Sequence, residues 1–216
     1  VCAVISFFVV YFFTPYFIRF LKKINLVGKD RNKVDEPLIP TSGGLVVMVG
    51  VFFGMMLFIF FRTFFSDANA SIILDEKSLT LLFAAITSIL LITFIGFVDD
   101  LLRKEASLSN VPSGLKQWQK PLLTLGAAIP LMVINAGVTT MAFPLIGRVN
   151  VGLLYPLLFI PVGVVGAANM VNMLGGFNGM EAGMGLVYIG MLGLYAYVNE
   201  SYIAAVSYTH LTLPTK

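Results

Sequence analysis

Asp99 and Asp100 stand side by side at the end of an apolar run, residues 90–98 (LLITFIGFV). Such a run predicts a helix, and two carboxylates at its C-terminal end would face the negative end of the helix dipole. They would also lie at the edge of the hydrocarbon, where an acidic side chain is costly. A cation offsets both penalties. Oxygen-only donors favour Mg²⁺, with Mn²⁺ as second choice, held by one or two carboxylates together with substrate phosphate oxygens. The competing reading is a solvated helix end neutralised by Arg103 and Lys104.

A second group of polar residues follows at Asn169 and Asn172, three apart and so on one helical face. Amides in an apolar helix normally bond a neighbouring helix. Here they run into Gly175, Gly176, Phe177, Asn178 and Gly179, which break the helix and bring backbone N–H and C=O groups close to a ligand. Glu181 opens the next apolar segment, whose N-terminus favours anions. Lys120 precedes Pro121 at the head of another apolar run, where a lysine either snorkels or holds a phosphate. Residues 28–44 (GKDRNKVDEPLIPTSGG) contain Asp30, Lys33, two prolines and a double glycine, without the spacing of a phosphate-binding P-loop.

The elements that must position these groups are apolar. Of 216 residues, 58% are hydrophobic and 12% charged, about half the charge of a soluble domain. One water-soluble core cannot hold that surplus. Six stretches approach the roughly 20 apolar residues that cross a bilayer: 1–21, 43–65, 79–98, 122–138, 152–174 and 182–198. The expected fold is therefore all-α and polytopic, with about six transmembrane helices. Residues 139–151 (TTMAFPLIGRVNV) add a short extracytoplasmic β-hairpin turning at Gly147.

Basic residues gather in two loops. One holds Lys22, Lys23, Lys29, Arg31 and Lys33, the other Arg103, Lys104, Lys116 and Lys120. The positive-inside tendency makes both loops cytoplasmic. Strict alternation then puts 28–44, 99–120 and 169–181 on that same face. The apolar start at Val1 reads as a truncated first span, and residues 206–216 (VSYTHLTLPTK) as a non-native tail after a domain of 1–205. That tail holds the lone histidine, His210, so no histidine chemistry is expected; the lone cysteine, Cys2, cannot form an internal disulfide.

Taken in order, DRNK…IPTSGG, GFVDDLL, QWQKPLL and NMVNMLGGFNGMEAG resemble the polyprenyl-phosphate sugar-1-phosphate transferases. That family includes the dolichyl-phosphate GlcNAc-1-phosphate transferases and the bacterial phospho-MurNAc-pentapeptide translocase, and the segment 169–183 is closer to the former. The resemblance implies that Asn172 ligates Mg²⁺, and that Gly176 backbone and Asn178 read the uracil. It implies that Lys120 holds a phosphate, that Asp30 lines the nucleotide site, and that Asp99 and Asp100 are the family's acidic pair. Substrates would be a UDP-sugar and a polyprenyl or dolichyl phosphate drawn from the membrane lipid; no nucleic acid is expected, and a homodimer would suit the family.

Thr41 departs from the acidic residue usual in the dolichyl branch. The family has about ten spans, and later loops should carry a second metal aspartate and the sugar-reading residues. This chain alone is thus expected to be inactive. The alternatives are a multi-pass transporter or channel, which would place polar residues deep within the spans, and a non-catalytic membrane scaffold.

Overall fold

The computed structural model describes residues 2–29, 33–35, 37–65, 76–109, 114–136, 140–143, 147–174 and 179–198. They form six α-helices and two small antiparallel strand pairs. Helix α1 is Cys2–Lys23, α2 Gly44–Phe65, α3 Glu76–Ser109, α4 Gln119–Val133, α5 Ile160–Leu174 and α6 Met180–Val198. Large apolar side chains such as Phe12, Phe52, Phe94, Leu157 and Tyr188 are exposed along the helices. In water such a surface would aggregate; in lipid it is solvated. The protein is an all-α polytopic membrane protein.

Among the described residues, four segments are long and apolar enough to cross a bilayer: Val4–Lys23, Gly44–Phe65, Glu76–Arg103 and Tyr155–Met173. The other two expected spans are helices, but shorter. The apolar part of α6 is Met180–Tyr195. Helix α4 has 15 residues and is thus about 22 Å long, against a hydrocarbon core of about 30 Å. It stops at Val133 because Asn135 takes a left-handed conformation (φ 50°). The N–H groups of Asn135 and Ala136 then cap the carbonyls of Met132 and Leu131, closing the helix as asparagine is able to do.

The chain divides into two compact units. The first comprises Val1–Ile73, Gly96–Gly114 and Leu174–Lys216. In it α1 packs against α2. Ser6, fully buried, donates to the Gly50 carbonyl at 2.6 Å, and a Cβ on Gly50 would overlap Val10. Helix α1 ends as α4 does. Asn25 turns left-handed (φ 57°), and Asn25 and Leu26 cap the carbonyls of Lys22 and Leu21. Leu21 and Leu26, each 1% exposed, seal the turn with the apolar contact that accompanies this cap.

From there the backbone enters a hairpin of β1 (Val27–Lys29) and β2 (Leu38–Pro40), in which Gly28 faces Ile39. From the sequence this segment reads as a loop, not a hairpin. Strands this short, one closed by proline and one containing glycine, leave almost no periodicity to read. The ladder is prolonged by Thr41, whose N–H donates to the Leu26 carbonyl at 3.2 Å.

The second unit comprises Leu74–Ile95 and Leu115–Met173. A hairpin of β3 (Thr140–Phe143) and β4 (Gly147–Asn150) follows α4, as the sequence predicts, with Met141 opposite Val149; Gly147 (φ 81°), expected at the turn, is the first residue of β4, opposite Phe143. A wide π-helical turn, Tyr155–Phe159, opens α5 and packs against α4. There the Ile160 N–H reaches back to the Tyr155 carbonyl. Pro161 next has no N–H to offer an α-helical bond, and the wider turn removes the clash of its ring with the preceding carbonyls.

Candidate active site

Asp99 and Asp100 are not at a helix end. Helix α3 continues from Leu101 to Ser109, about two and a half further turns, so the dipole penalty expected from the sequence does not act on them. The apolar run stops at Val98 but the helix does not, because 101–109 (LLRKEASLS) holds no glycine or proline to stop it.

Neighbouring positions on a helix point about 100° apart, and the two carboxylates have different surroundings within the first unit. Asp99 is 8% exposed. Its Oδ2 pairs with Arg103 Nη2 at 3.0 Å, one helical turn away. Gly114 closes over this pair: a Cβ there would stand 2.8 Å from Arg103 Cγ and 3.0 Å from Asp99 Oδ1. With φ 83°, that position also demands a conformation natural to glycine. Asp100 is half-buried and accepts a hydrogen bond at Oδ2 from Ser42 Oγ, 2.6 Å away. That length is at the short end of O–H···O hydrogen bonds.

Ser42 was not singled out in the sequence. The chain delivers it from β2, just before α2, with φ 62°. A non-glycine residue there is strained by about 1–3 kcal/mol, offset in part by the Leu45 N–H bonding the Ser42 carbonyl at 3.2 Å. The signal available was a serine before two glycines at the head of an apolar helix, in a loop assigned to the same face as the acidic pair. Nothing local connects it to a residue 58 positions away.

In the second unit, buried Thr124 joins α4 to α5. Its hydroxyl lies 3.0 Å from the Lys120 carbonyl and 3.1 Å from that of Pro121. It also accepts from Asn169 Nδ2 at 3.0 Å, and that same amide donates to the Val165 carbonyl at 2.8 Å. Asn169 is thus an interhelical tie. This contact sets the start of α4 beside the last turns of α5, with Lys120 one turn before Thr124 and exposed Asn172 one turn after Asn169. Asp30, Gly176 and Asn178 lie outside the described residues, as do 206–216.

Among the described residues no three His, Cys, Asp or Glu side chains cluster as a metal site. The donors present nonetheless suit Mg²⁺, which needs few protein ligands. In the first unit Asp100 supplies a hard oxygen, in the second Asn172 supplies another, and neither unit sets sulfur or imidazole among the named site residues.

These features define an integral membrane protein with carboxylate and amide groups at the ends of its spans. The match to known proteins makes the class specific. Residues 81–214 fit the profile described as glycosyl transferase family 4, and the chain belongs to that family. A Saccharolobus solfataricus protein provisionally named UDP-N-acetylglucosamine–dolichyl-phosphate N-acetylglucosaminephosphotransferase is 33% identical over 195 residues, covering 90% of this chain and 52% of that protein. The Schizosaccharomyces pombe protein of that name is 31% identical, over 74% of this chain and 39% of its own length. The phospho-N-acetylmuramoyl-pentapeptide-transferase of Streptococcus pyogenes is 27% identical, over 94% and 58%. The chain spans about half the length of the curated relatives it matches.

Proposed function

We propose that the protein transfers a sugar 1-phosphate, GlcNAc 1-phosphate in first place, from a UDP-sugar to a polyprenyl phosphate of dolichyl type. The observation that carries this reading is the pair Asp99–Asp100 where the apolar run of α3 gives way to polar sequence, each carboxylate held by a different partner. A polar donor and a lipid acceptor meet only at such a boundary. The names of the relatives supply the sugar, the nucleotide and the lipid.

In the reaction, an oxygen of the lipid phosphate attacks the β-phosphorus of the UDP-sugar. The new P–O bond forms as the bond from that phosphorus to the bridging oxygen breaks, and UMP leaves with the electron pair. A phosphate monoester, with a second pKa of about 6, is already largely ionised near neutrality. The nucleophile therefore needs little help from a base, and orientation with charge neutralisation dominates.

Asp100, fixed by Ser42, orients the incoming groups. Asp99, committed to Arg103, maintains the local fold of that turn. Lys120 draws a phosphate to the head of α4. Asn172 would hold Mg²⁺, which supplies neutralisation of the pyrophosphate and of departing UMP. Asp30, Gly176 and Asn178 complete the nucleotide pocket in this reading. The active face is cytoplasmic, supported by the basic residues that end α1 and follow the acidic pair.

The test is transfer by the whole gene product in membranes, supplied with labelled UDP-GlcNAc or UDP-GalNAc and dolichyl phosphate. Lipid-linked GlcNAc 1-phosphate and equimolar UMP are expected. Ion flux with no UMP release would replace this reading with the transporter.

A further inference from the structure

Resting on the reaction just proposed, we propose that Ser42 is the positioning residue for Asp100. Its hydroxyl donates to Oδ2 at 2.6 Å across 58 residues of sequence, and both residues belong to the same compact unit. A carboxylate on a helix surface ordinarily samples several rotamers. One short bond restrains that freedom, and it leaves Oδ1 without a protein partner among the described residues. Asp100 thereby presents one oxygen in a fixed direction.

The backbone around Ser42 is built to hold this bond. Thr41 is anchored to the Leu26 carbonyl through its N–H at 3.2 Å and its hydroxyl at 3.4 Å. Leu26 is in turn locked by the cap of α1. On the other side the Ser42 and Gly43 carbonyls accept from the first turn of α2. Ser42 is clamped from both directions in a left-handed conformation (φ 62°) that serine rarely adopts. A glycine would meet the backbone requirement better and would lack the hydroxyl. The residue present is the strained one that carries the donor, and its hydroxyl lands on the acidic pair.

Three variants separate the hydroxyl from the backbone: Ser42→Ala, Ser42→Gly and Ser42→Thr, each in the whole gene product, assayed by UMP release and by thermal unfolding. Ser42→Ala and Ser42→Gly are expected to lower kcat at least tenfold, with KM for UDP-GlcNAc within about twofold of wild type. Ser42→Gly should unfold at no lower temperature than wild type, because its backbone is relaxed. Ser42→Thr, which retains a hydroxyl, should recover at least half of the lost rate. A Ser42→Gly protein with wild-type kcat would overturn the proposal, as would Ser42→Thr no better than Ser42→Ala. Wild-type protein that transfers nothing would instead bring down the reaction itself, and this proposal with it.

Discussion

Two adjacent carboxylates in α3 hold different positions, and the difference assigns their sensitivities. Asp100 has its Ser42 bond and, among the described residues, an oxygen without a protein partner, whereas Asp99 is buried against Arg103. Asp100→Asn keeps the shape but halves the acceptor capacity and removes the charge. Transfer should fall by about 100-fold or more, the scale on which a single preorganised electrostatic group acts, with the fold intact by circular dichroism. Lys120→Ala should lose transfer to a similar extent. Activity of either near wild type in a UMP-release assay would remove that residue from the machinery. The acidic pair, Lys120 and Asn172 stand out in the sequence, and are proposed on that ground, because each breaks the apolar pattern of a span. Ser42 and Gly114 were not, since their meaning lies in contacts made across loops.

At the scale of elements, the apolar periods gave six helices, but their ends depended on local chemistry that hydropathy does not register. Asparagine at 25 and 135 ends α1 and α4 by turning left-handed, and α3 overruns its apolar run because its sequence stays helix-compatible. Helices α4 and α5 are joined by the Thr124–Asn169 bond. Thr124→Val preserves volume and removes both the acceptor for Asn169 and the bonds to the first turn of α4. Interhelical hydrogen bonds in membranes are worth about 0.6–2 kcal/mol. Detergent-solubilised Thr124→Val should therefore unfold a few degrees below wild type. An unchanged unfolding temperature would show that the Thr124–Asn169 bond does not hold these helices together.

Across the whole molecule, the sidedness of the loops is open to direct measurement. Lys33 and Arg148 are exposed and belong to loops assigned to opposite faces. With Cys2 replaced by serine and the protein in sealed vesicles of known orientation, Lys33→Cys should react with a membrane-impermeant maleimide only from the cytoplasmic side, and Arg148→Cys only from the opposite side. Labelling of both from the same side would refute the topology. Helix α3, at 34 residues, is about 51 Å long, so it outreaches any ordinary bilayer. Because α3 is helical without a break from Glu76 to Ser109, the depth of the Asp99–Asp100 turn is tied to how the apolar residues of the same helix seat in the acyl chains. Thickening the membrane would draw that turn down toward the oil, and thinning it would lift the turn into the headgroups. Reconstituted in phosphatidylcholines of increasing chain length, the whole gene product should pass through a rate maximum. A flat profile from 14 to 22 carbons, roughly the range that spans natural thicknesses, would mean that the helix tilts or slides freely.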